Sequence, residues 1–144
     1  MKINYYFLIV GILSILFSFT HALNGQSTVL TIVDSSNFDL STKTTINYVW
    51  HIITAENFIF GAAFLIMAFY KDISKVKFAG WIIAAIMIAR WGVIFGFTII
   101  KNKNGLIDTL TDLIVIIIFV GLIMLGTRRN NKASFKMNHY FLSL

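Results

Sequence analysis

Four stretches of the chain are apolar on nearly every side, and polar residues collect between them. The runs cover about Ile3 to Leu23, Ile46 to Tyr70, Phe78 to Ile100 and Leu106 to Gly126. Each is close to the ~20 residues a helix needs to cross the hydrocarbon core of a bilayer. No period-2 alternation competes with this pattern. An open sheet would leave unsatisfied backbone groups in lipid, and the runs are too long for barrel strands. The pattern predicts an all-α fold, an integral membrane four-helix bundle of antiparallel up-down topology, with a basic tail over 127–144.

The connections differ in length. Asn24 to Thr45 is rich in Asn, Ser, Thr and Asp and is expected to form the one long loop, placed as a lid over the ends of the helices. Lys71 to Lys77 is short and basic, and Lys101 to Gly105 is a tight turn. The two short links make spans 2 and 3, and spans 3 and 4, antiparallel neighbours.

Composition sharpens this reading. Hydrophobic residues make up 58% of the 144 and charged residues only 12%, against roughly 25% charged in a soluble domain. A soluble enzyme, a disordered chain and a nucleic-acid-binding domain are thereby excluded as classes. With no cysteine and no proline, a disulfide framework and a thiolate metal site are excluded too. The net charge of +6 reads as topology rather than as nucleic-acid affinity. Lys2, Lys71, Lys75, Lys77, Arg128, Arg129, Lys132 and Lys136 fall on one side of a four-span arrangement. Lys43, Lys101 and Lys103 fall on the other, and Arg90 lies inside span 3. The bias puts the chain in the cytoplasmic (inner) membrane with both termini cytoplasmic, and its basic tail against anionic lipid heads. Lys2, the apolar run and Thr20-His21-Ala22 loosely resemble a secretory signal, but the run exceeds a usual signal core and favours a retained span.

Ionisable residues inside a span are costly and call for a partner or a cavity. The candidates are His21, His51, Glu56, Arg90, Asp108 and Asp112. Counted from the ends of the predicted spans at ~1.5 Å per residue, all lie in the outer half. Glu56 and Arg90 match in depth and oppose in sign, so a buried ion pair is expected. His51 and Asp112 match at a shallower level, and His21 approaches from span 1. These three are expected to line a ligand pocket under the long loop. On a helical wheel Glu56 points about 140° away from His51, which argues against one metal held by His21, His51 and Glu56. No metal site is therefore expected, and no catalytic or cofactor fingerprint occurs; two histidines could in principle ligate a haem. Asp108 suits the first turn of a helix. Ala85, Ala89, Gly92 and Gly96 form a small-residue seam containing a GxxxG pair, through which a homodimer would pack.

His21-Ala22-Leu23-Asn24-Gly25, Trp50-His51-Ile52-Ile53-Thr54 and Ala89-Arg90-Trp91-Gly92 together resemble small four-helix membrane proteins of bacteria, broadly DoxX-like. That resemblance implies a four-helix bundle in the cytoplasmic membrane with a polar outer pocket and no assigned reaction. The leading expectation is a pocket that binds a small ligand or lipid head or supports a membrane partner. The alternatives are a membrane oxidoreductase or other enzyme using His51, Glu56, Arg90 and Asp112, and a structural accessory subunit.

Overall fold

A computed structural model describes residues 3–128; Lys2 and the basic tail beyond Arg128 lie outside them. The fold is all-α, with four helices long and apolar enough to cross a membrane. The first runs without a break from Tyr5 to Ser35 as α1 (Tyr5–Asn24), a π turn (Gly25–Val29) and α2 (Leu30–Ser35). It is followed by α3 (Leu40–Ala68), a 3-10 turn (Ile73–Lys75), α4 (Lys77–Lys101), a second 3-10 turn (Lys103–Gly105) and α5 (Leu106–Arg128). The helices sort into two compact units. One comprises Leu8–Ile66, and the other joins the N-terminal residues through Phe7 to the chain from Met67 onward.

The first unit is a helical hairpin. Its pairings run antiparallel: Gly11 lies against Leu65, Gly61 against Ile15, the Ser18 hydroxyl donates to Thr54 O at 2.8 Å, and Gln26 meets His51. Small residues permit the close crossing. A Cβ on Gly61 would lie 2.9 Å from Gly11 O, and one on Gly11 would lie 2.9 Å from Leu65 N. Backbone approach of this kind is how helices associate in lipid, where apolar burial gives little drive.

The long loop expected over Asn24 to Thr45 is not a loop. Only Ser36–Asp39 is non-helical, and the rest extends α1 and α3 into one continuous hairpin. The physical reason lies in periodicity that the polar composition hides. Val29, Leu30 and Val33 continue at helical spacing from Leu23, and Leu30 and Val33 are buried. Serine and threonine hydroxyls bond back to carbonyls one turn earlier, as Thr31 does to Gln26 O at 2.7 Å and Thr44 to Leu40 O at 2.8 Å. At ~1.5 Å per residue the 31 residues from Tyr5 to Ser35 reach about 46 Å, well beyond ~30 Å of hydrocarbon. The hairpin is thus longer than such a layer is thick, and its end is helical where a lid loop is expected.

The second unit contains the antiparallel α4 and α5. Trp91 Nε1 donates to Thr109 O at 2.9 Å, and Gly80 lies against Ile123 and Thr127. Asn4, 1% exposed, closes its other end. The Asn4 N–H donates to Ala68 O at 2.8 Å, its side-chain amide donates to Gly126 O at 3.0 Å, and its Oδ1 accepts from the Phe7 N–H at 3.4 Å. One residue thus caps α1 and satisfies carbonyls at the ends of α3 and α5.

Candidate functional site

A polar cluster below the hairpin tip is built on the π turn. Widening the helix by one residue per turn at Gly25–Val29 brings Gly25 against α3, where the Trp50 indole fills the space a side chain would need; a Cβ at Gly25 would overlap the indole nitrogen. π turns concentrate at functional sites because they redirect side chains without ending a helix. Trp50 Nε1 donates to His21 O at 3.0 Å, and its ring stacks on the His21 imidazole with centroids 4.4 Å apart and planes within 5°. Phe17 extends the stack, its centroid 6.1 Å from that of His21. His21 is therefore a half-buried wall, with its Nε2 enclosed by protein.

His51, the residue after Trp50, is exposed, and its Nε2 lies 3.1 Å from the Gln26 side-chain amide nitrogen. With Nδ1 carrying the proton, Nε2 accepts from that amide. Above it, Lys43 Nζ donates to Asp34 O at 2.6 Å, which links α3 to α2 near the tip.

The sequence-predicted residues divide between the two units. His21 and His51 both belong to the tip cluster, linked through Trp50. Asp112 stands on α5 with Asp108 one turn before it, and both are exposed. Glu56 is half-buried on α3 and Arg90 half-buried on α4, and each makes a polar or electrostatic interaction. Gly92 and Gly96 have open space where their side chains would be, as does Gly121. Among the described residues no three His, Asp or Glu side chains gather as metal ligands would.

From the sequence Gln26 reads as a loop residue, and neither it nor Trp50 is expected as a member of the cluster. The available signal was helical continuity: no proline interrupts residues 3 to 45, and apolar spacing persists past Gly25. Compared with protein-family models, curated proteins and solved structures, the chain matches none.

Proposed function

We propose that this chain is a multi-pass protein of the cytoplasmic membrane, with both termini inside, whose external hairpin end binds the polar head of a lipid or another small amphiphile. The observation that carries this reading is the exposed Gln26–His51 pair beside the Trp50–His21 stack. From Tyr5, Gln26 lies ~32 Å along the helix, and from Ala68, His51 lies ~26 Å along α3. Both distances fall where ~30 Å of hydrocarbon gives way to headgroups. An amide and an imidazole supply donors and acceptors there, the aromatic stack supplies a stiff wall, and exposed Leu23 and Ile52 supply apolar surface for a tail. The DoxX-like resemblance implies no reaction, so the ligand class is argued from these side chains alone.

The test is native mass spectrometry of the full chain released from membranes. His51→Ala and Gln26→Ala should each lower retention of the co-purifying amphiphile about tenfold, the loss expected for one or two hydrogen bonds. Helical content and thermal midpoint should be unchanged. Equal retention by both variants and the parent would overturn the reading. Delipidation followed by re-addition of membrane lipid extract distinguishes a lipid from a soluble ligand. Reporter fusions at Ser36 and Lys75 test sidedness: external at the first and cytoplasmic at the second.

A further inference from the structure

Beyond the C-terminal end of α3, the turn between α3 and α4 carries Lys71, Lys75 and Lys77 within seven residues, and all three are exposed. The turn is ordered. Ile73 is buried beneath it, the Lys75 N–H donates to Asp72 O at 3.2 Å, and the Val76 N–H donates to Ile73 O at 3.1 Å. Asp72, the one acidic residue among them, turns its carboxylate back on the loop. Its Oδ1 accepts from the Ser74 N–H at 3.1 Å and the Ser74 hydroxyl at 2.6 Å. The segment thus keeps an excess of positive charge facing outward. Apolar and amphipathic rings border it on the same unit: Tyr70 and Trp81 are exposed, and Phe78 is 73% exposed. Such rings settle at the headgroup level, while lysine stems lie along apolar surface with their ammonium groups in water.

We propose that the Lys71–Lys77 turn and the start of α4 form a binding site for the phosphodiester headgroup of an anionic phospholipid. The lysine ammonium groups meet the phosphate, and the acyl chains lie along Phe78 and Trp81. A fixed turn presents its charges without the ordering cost a loose loop would incur. The site is separate from the Gln26–His51 pair and stands whether or not that pair binds anything.

The test is native mass spectrometry of the full chain with added phosphatidylglycerol or phosphatidylcholine. The parent should retain phosphatidylglycerol preferentially. Lys75→Gln/Lys77→Gln should reduce that preference by about fivefold per lysine removed. Lys101→Gln/Lys103→Gln, which removes equal charge from the other end of α4, should leave it intact. Equal retention of the two lipids by the parent, or equal loss in both double variants, would overturn the site; the second outcome would mean that net charge alone acts. If Lys75→Gln/Lys77→Gln fails to fold, the parent alone decides the matter. Its preference should collapse in 1 M salt, where screening shortens to ~3 Å, and a preference indifferent to salt would refute the proposal.

Discussion

Trp50 holds His21 twice, donating its indole N–H to the His21 carbonyl at 3.0 Å and stacking its ring on the imidazole at 4.4 Å. The contact exists only because Gly25, one turn further on, has no side chain. Gly25→Ala should therefore expel the indole and cost about 1–3 kcal/mol as overpacking does. The tryptophan emission attributable to Trp50, isolated in a background with Trp81 and Trp91 replaced by Phe, should move to longer wavelength. An unshifted spectrum with parental stability would mean that the ring does not occupy that space.

The hairpin tip carries a pH dependence of predictable sign. Asp39 precedes α3, accepts from the Thr42 hydroxyl at 2.7 Å and from the Thr42 N–H at 2.9 Å, and is fully exposed. Those bonds, the hydroxyl's first, hold its carboxyl below the ordinary value of 3.8. The folded form is thus the stronger acid. Its stabilising contribution is complete above the unfolded value and disappears as pH falls through the lower folded one. Asp39→Asn should fray the first turn of α3 at neutral pH, read as amide exchange at Thr42 and Lys43. Parent and variant should converge as pH falls through the lowered folded value and the carboxylate takes up its proton. A difference that persists undiminished at low pH would show that the cap works by shape rather than charge.

Asn4 is a second place where one side chain serves several backbone groups. Asn4→Ala removes the donor to Gly126 O and the acceptor for the Phe7 N–H in a buried setting. The expected cost is about 1–3 kcal/mol, measured by chemical unfolding in detergent. Asn4→Asp should be no better, because a carboxylate cannot donate to the Gly126 carbonyl. Rescue by aspartate would show that only the cap on α1 matters.

The spans were legible because hydrocarbon thickness imposes a length on apolar runs that few other contexts demand. Leu106, predicted and observed as the first residue of α5, shows how sharply a polar turn can mark such a boundary. Asn24 to Thr45 reads as a loop by its polarity, whereas a helix facing water is free to be polar on its wet side. The histidines were legible as costly residues, and their partners were not. Gln26 reaches His51 only because the π turn rotates it there, and no spacing rule announces that turn in Gly-Gln-Ser-Thr-Val. Glycine pairs across helices are equally silent, since Gly11 and Gly61 meet through tertiary register.

Gly61 and Gly92 stand in opposite surroundings on their helices. Gly61 sits where a methyl group would meet Gly11 O and Ile15 N at 2.9 Å, both backbone atoms that cannot step aside. Gly61→Ala should destabilise the hairpin by about 1–3 kcal/mol. Gly92 has nothing within 4 Å of the same methyl position. In an isolated chain Gly92→Ala should therefore be neutral or stabilising by about 0.5–1 kcal/mol, the gain from replacing a mid-helix glycine. The outcome changes if Gly92 and Gly96 pack against a second copy, as their spacing on α4 suggests. A bulky residue, whose Cβ meets nothing within the chain, would then hold the two copies apart. Gly92→Leu/Gly96→Leu, followed by single-molecule photobleaching in lipid vesicles, separates the cases. A shift from two-step to one-step bleaching with unchanged unfolding would establish the dimer seam. One-step bleaching in the parent, or two-step bleaching in both, would remove it.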